Sequence, residues 1–335
     1  YPLGQLELRQ KNYDQASDYL KRSIDVTENV RRVSTSKDLT TAFSATVQER
    51  YEAYIECLMK QHEKQPERGF AIHAFETSEL ARARTLSELL LAVQAPGVDP
   101  QLATRQRSLQ QTLRIKESDK INLLAKKDSQ AEVKALEAET SQIEAEYNKV
   151  SDEIRSRYPS YDQLSKPTAW DLGHIQATIL RDDDAVLLEY SAGAENSYAW
   201  VISHDGFKSY QLSPQKVINE AVQRVYNLSS SPPVASGETE LAEATAKLSK
   251  LVLEPVASSL NKPRIIVVAD GSLNYIPFQL LSASASANEP LISKYEVINV
   301  PSASILGQLR QEKQQRRPRS KILAAFGDPV FPANY

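Results

Sequence analysis

Few residues in this chain have the type and spacing that chemistry requires. The segment IIVVADGSLNYIPFQLL, residues 265–281, carries an apolar run into Asp270. An acid at a strand end can act as a general base or a metal ligand. Such sites need a second carboxylate or a lysine at a set spacing, and DGSLNYIPFQLL holds neither. Asp-Gly also accepts the backbone angles of a turn, after which Leu273, Ile276 and Phe278 return to the core. The turn is the preferred reading of Asp270, and Asp328 in FGDP is read the same way.

The histidines His62, His73, His174 and His204 form no HxxxH or HExxH pair. His204 in SHDG reads as a turn residue. His174 in DLGHIQATI reads as lying on an amphipathic helix beside Trp170, and neither histidine has a visible Ser or Cys partner for a triad. The single cysteine, Cys57, sits in the helical stretch YEAYIECLMK and reads as core. One cysteine excludes an internal disulfide framework and a cysteine-rich zinc site. GxGxxG and GxxxxGK[ST] loops are absent. No catalytic residue, metal ligand or cofactor contact is assigned.

The elements that must position these residues fall into a helical half and an α/β half. The 335 residues suffice for two or three domains, and 41% hydrophobic with 25% charged residues is ordinary for a globular chain. A net charge of -3 makes no general trap for nucleic acid or anionic membrane. The basic run RQEKQQRRPRSK (310–321) has no interleaved aromatics to stack on bases, so it reads as a solvated helix end and linker. No segment approaches the ~18 apolar residues of a membrane span. The chain opens at Tyr1 and its only methionine is Met59, which reads as a trimmed start and leaves a signal peptide open. A cytoplasmic setting is expected.

Residues 1–95 have helical spacing and little punctuation. Leu3-Gly4, Tyr13, Ala16 and Leu20 carry the offsets of a tetratricopeptide unit, with Gly4 and Ala16 allowing close approach and Tyr13 and Leu20 filling the gap. A second unit is expected at 39–64 and 67–93, broken at QPERG. Its closing helix HAFETSELARARTLSELLLA turns Phe75, Leu80, Ala83, Leu86, Leu89 and Leu90 toward one side. Such helices offer either a groove for a partner or a wall packed on the next domain. Residues 99–158 predict an antiparallel helical hairpin turning near 126–130. Val133, Leu136, Ile143, Tyr147, Val150 and Ile154 form the seam of its return arm.

From about residue 165 the period changes. AVLLEYSA, SYAWVISHDG and FKSYQL predict three strands in a meander, followed by helices at 214–228 and 239–260. RIIVVAD predicts a central strand covered on both faces. EVINVPSAS predicts a strand running into a helix, and ILAAFGDP (322–329) a further strand. The predicted fold class is α plus α/β: repeat-like helices, a helical hairpin and an α/β layered domain cut off part-way.

This order of features resembles the CHAT family, caspase-like domains that follow tetratricopeptide repeats in bacteria and are similar to the separase end of the caspase clan. The likeness is strongest over 184–331, in DAVLLEYSAG, SYAWVISHDG, IIVVADGSLNYIPFQLL, YEVINVPSAS and ILAAFGDPVF. It makes 165–335 the first, non-catalytic half of a CHAT domain. Asp270, Gly271, Leu273, Pro277, Phe278, Gly327 and Asp328 are then structural motif residues. Family members carry a His-Gly segment and then an Ala-Cys-Glu segment, each at a strand end. This sequence has no His-Gly dipeptide, and Cys57 lies among the repeats, so no dyad residue is carried over. The resemblance implies the regulatory or scaffold portion of a cysteine protease, inactive by itself. Its helices would bind a protein partner or peptide activator, and its catalytic half would lie further along. The alternative is a non-proteolytic protein-interaction module. A hydrolase using Asp270 is a distant third.

Overall fold

The computed structural model describes residues 1–33, 38–92, 98–124, 130–158, 169–230, 237–283 and 289–315. The expected strand at 322–329, with Gly327 and Asp328, lies outside them, as do the second half of the basic run, 316–321, and the expected turn at 126–129.

The first half is helical. α1 (Pro2–Arg9) starts on a proline whose fixed φ suits a first turn, and α2 (Tyr13–Val33), α3 (Asp38–Lys64) and α4 (Phe70–Ala92) follow. A Cβ at Gly4 would lie 2.7 Å from Leu20 Cγ, so glycine is what lets α1 approach α2. Ala16 and Leu20 are fully buried with Cys57, and Tyr13 packs against them. Between α3 and α4 a 3-10 turn, Pro66–Arg68, ends in Gly69, whose φ of 74° needs no Cβ.

α5 (Pro100–Leu124) and α6 (Gln130–Arg157) pack on each other. Arg105 pairs with Glu146 at 2.6 Å and Lys116 with Glu139 at 2.5 Å, so the two helices run antiparallel. These exposed ion pairs add little. Burial of Leu113, Leu136, Val150 and Ile154 does more to hold the contact.

The sheet explains most of the second half. β1 (Ala185–Ser191), β2 (Ser197–Ile202) and β3 (Phe207–Leu212) form an antiparallel meander, while β4 (Arg264–Val268) and β5 (Glu296–Asn299) continue in parallel from the other side of β1. The strand order is β3-β2-β1-β4-β5. The remaining helices are α7 (Leu172–Thr178), α8 (Gln215–Ser229), α9 (Gly237–Val252) and α10 (Ala303–Gln315). The helix expected to reach residue 260 stops at Val252. Pro255 cannot continue it, and the chain goes on as a 3-10 turn, Glu254–Ser259.

Strand alternation sends side chains to two separate cores. Val186, Leu188, Ile265 and Val267 meet Ile218 and Val222 of α8 and Leu248 and Val252 of α9. Leu187, Ile266, Val268 and Trp200 meet the other cover, built by Ile55, Leu58 and Met59 of α3, Ala74 and Phe75 of α4, and Ile175 and Ile179 of α7. Phe75 stands edge-on to Trp200 with ring centroids 5.9 Å apart. The chain's first half thus supplies one face of the sheet in its second half.

Candidate functional site

The carboxyl ends of β1 and β4 meet α4 in a buried polar junction. Four charged side chains, Glu79, Arg82, Glu189 and Asp270, come together there. Phe75 docks on the sheet core, and Ser78, Glu79 and Arg82, three, four and seven positions on, share its face of the helix. Leu80, expected on that side too, points away and packs with Ile24, Val47 and Tyr51.

Arg82 spans two strand ends. Its Nη1 donates to Ala269 O at 2.7 Å and its Nη2 to Tyr190 O. Its Nε lies 3.4 Å from Glu189 Oε1, and its Nη2 lies 3.7 Å from Asp270 Oδ1. A planar fork with several donors can hold these acceptors at once, which an ammonium cannot. Burial works against the guanidinium charge, but Asp270, Glu189 and Glu79 outweigh it and hold Arg82 above its ordinary range.

Glu189 is fully buried in the middle of an apolar strand, and Ser78 Oγ donates to it at 2.7 Å. Burial first, and the neighbouring Glu79 second, push its carboxyl well above the usual glutamate range, with Arg82 pulling the other way. Folding therefore shifts Glu189 toward its protonated form, chiefly because its charge loses solvation there.

Glu79 faces the start of α10. Its carboxylate accepts from Ala303 N at 3.1 Å, from Ser304 N at 2.7 Å, and from the hydroxyls of Ser302 at 3.0 Å and Ser304 at 2.6 Å. A helix start presents unpaired N–H groups and partial positive charge, and here an acid from a distant helix satisfies them. Ser304 Oγ also accepts from Trp170 N at 2.9 Å, which carries the chain of bonds toward α7.

Asp270 does more than turn the chain. It is extended at φ -133°, its carboxylate does not cap the turn that follows, and the left-handed residue is Gly271 at φ 53°. Asp270 Oδ2 instead accepts from Ala192 N at 2.8 Å, tying the end of β4 to the residue after β1. Leu273 and Phe278 are buried beyond it, Phe278 packing on Tyr190 with centroids 5.5 Å apart. Pro277 starts the short turn that carries Phe278.

Comparison with protein families supplies the affiliation. Residues 242–334 match the CHAT domain family model, a stretch that includes β4, Asp270, β5 and the start of α10. Over that stretch the chain is similar to the CHAT domain. No curated protein matches it. Glu79 and Arg82 precede the matched stretch, yet they hold Ala269, Ser302, Ala303 and Ser304 within it.

Elsewhere the candidate residues do no visible chemistry. Cys57 is fully buried, its Sγ donates to Tyr13 O at 3.3 Å, and burial pushes its thiol up to about 12. His174 Nδ1 lies 2.9 Å from Asp171 Oδ1 at the exposed start of α7, and its ring is 6.1 Å from that of Trp170. Ser209 Oγ lies 3.3 Å from His62 Nε2, but the buried His62 Nδ1 has no hydrogen-bond partner among the described residues to orient the ring as a triad needs. An open cleft beside Asp270 is lined by Ser191, Ser197, Asn219 and Ser272, with no histidine, cysteine or lysine on its walls. Among the described residues no group of three or more His, Cys, Asp or Glu could hold a metal ion, and no helix is long and apolar enough to cross a membrane.

The junction residues Glu79, Arg82 and Glu189 escape a reading for catalytic motifs. Their signal is a charge where the pattern demands an apolar side chain: Glu189 inside AVLLEYSA, and Glu79 and Arg82 on the face that Phe75 buries.

Proposed function

We propose that this chain is the regulatory and scaffold portion of a caspase-like cysteine protease of the CHAT family, binding an activator or protein partner through its helices. The CHAT match suggests the protease family, and caspase-like proteases act through a thiolate that a histidine activates. The observation that carries the reading is the shared core. α3 and α4 cover one face of the CHAT sheet directly, so a force applied to the helices reaches the strands without crossing a linker. In an interaction module that merely precedes a domain, the sheet would have its own cover.

The test compares this chain with the uninterrupted gene product, using an activity-based thiol reagent and a peptide-substrate library. The expected result is labelling of a single cysteine encoded beyond residue 335, cleavage by the full product, and silence from Cys57. A full product that labels nowhere and cleaves nothing overturns the protease reading and leaves a module that binds partners without proteolysis.

A further inference from the structure

Two residues three positions apart on α4 reach three separate places around the sheet. Arg82 holds Ala269 O, just past the end of β4, and Tyr190 O near the end of β1. Glu79 holds the first turn of α10, which follows β5. α4 therefore lies across the carboxyl ends of neighbouring parallel strands, the edge where α/β sheets build their sites.

We propose that Glu79 and Arg82 make α4 a two-pronged latch, so that a shift of this helix loosens the ends of β1 and β4 and uncaps α10 in one step. The geometry makes the two prongs act together. They lie within one turn of a rigid helix, so neither can leave its partners while the other stays. The contacts are also all-or-none. Ser302, Ala303 and Ser304 are buried, so their donors, once parted from the Glu79 carboxylate, lose their bonds at full cost.

Release is nevertheless within reach of a binding partner. Withdrawal of Arg82 leaves Asp270 24% exposed, within reach of solvent, and still holding its bond from Ala192 N, while Ser78 still donates to Glu189. Arg310 of α10 donates to Ile179 O at 2.8 Å, and Trp170 N donates to Ser304, so movement at the start of α10 also passes to α7. The inference deepens the regulatory reading above by naming the element that would carry the signal.

The test is hydrogen exchange on the whole chain, comparing wild type with Glu79→Gln, Arg82→Lys and the double variant. A latch predicts that each single variant speeds exchange by roughly tenfold, the order expected for a lost bond to a charged group, at both places. Glu79→Gln must act on residues 190–192 and 269–271 as well as on 303–306, and Arg82→Lys must act on 303–306 as well as on the strand ends. The double variant should add little to either. Effects confined to each residue's own contacts, or additive in the double variant, overturn the latch. If Glu79→Gln does not fold, Ser304→Ala, which removes one hydroxyl donor, is read in the same way at 190–192 and 269–271. The readout needs no proteolysis, so a silent protease assay with coupled exchange rejects the protease reading alone, and uncoupled exchange rejects the latch alone.

Discussion

The backbone N–H and the hydroxyl of Ser304 both donate to the carboxylate of Glu79, at 2.7 and 2.6 Å, although 225 positions separate the two residues. A contact of that sequence span costs chain entropy to form, so its bonds must repay the ordering of both segments. It does so by giving buried helix-start donors an acceptor that water cannot provide. Glu79→Ala leaves the N–H groups of Ala303 and Ser304 buried without that partner and is expected to cost about 2–4 kcal/mol, more than one neutral hydrogen bond. Urea unfolding checks this, and a change below about 1 kcal/mol would show that the donors find other acceptors.

Arg82 poses the complementary problem. Arg82→Met removes the cation from beside Asp270 and Glu189 and strands two carbonyls, so a loss of about 3–5 kcal/mol is expected, as for breaking one side of a buried pair. Combining Arg82→Met with Glu189→Leu should recover part of that loss, because the acid left unpaired is then gone. The comparison is a double-variant cycle by chemical denaturation. No recovery would place the cost in the Ala269 and Tyr190 carbonyls instead.

Much of this architecture is legible before any coordinates. The β-rich runs SYAWVISHDG and FKSYQL place β2 and β3, and the apolar run RIIVV, bare of charge after Arg264, places β4 inside the sheet, between β1 and β5. Gly4, Ala16 and Leu20 could be paired by their offsets because the packing they serve is local. The junction was not legible in the same way. Each of its contacts spans at least 78 positions, and periodicity registers only that a position is buried, not what it meets. The Asp270 turn shows the limit: Asp-Gly locates the bend, but the carboxylate is used by Arg82 and Ala192, neither of which is near in sequence.

Glu189 predicts a pH dependence of defined sign. Its folded value is raised, by burial first and by Glu79 next, so folding favours its protonated form. That contribution is full below the ordinary glutamate range and is lost as pH rises through the raised folded value. Glu189→Gln mimics the protonated acid, so the variant should be no less stable than wild type at pH 8 and should flatten the decline between pH 5 and pH 8. Urea midpoints at the two pH values decide it. A variant that loses stability at pH 8 as much as at pH 5 would mean that the wild-type side chain is ionised beside Arg82.

Gly4→Ala tests the close approach of α1 to α2. The added Cβ would sit 2.7 Å from Leu20 Cγ and 3.2 Å from its backbone N, so the helices must part. Overpacking of this kind typically costs about 1–3 kcal/mol, against a small gain from alanine's helix propensity. Leu20→Val in the Gly4→Ala background should return part of the stability, and thermal unfolding measures both. An unchanged midpoint in the single variant would show that the Leu20 side chain moves aside at no cost.

Glu52 of α3 gives a second pH-dependent group close to the junction. Burial lifts its carboxyl to about 7, with the negative charges of Asp270 and Glu49 adding and a hydrogen bond from Gln48 opposing. Its folded value lies above its ordinary one, so its contribution is present below that ordinary value and fades as pH climbs toward 7 and beyond. Above that range the charge on Glu52 is repelled by Asp270, which works against the folded arrangement. Glu52→Gln should therefore raise the unfolding temperature at pH 8 and leave it nearly unchanged at pH 5. Replacing Asp270 by Asn should shift the Glu52 titration downward when followed by NMR of its side chain. An Asp270→Asn variant with an unmoved Glu52 titration would assign the whole shift to burial and remove α3 from the electrostatics of the strand ends.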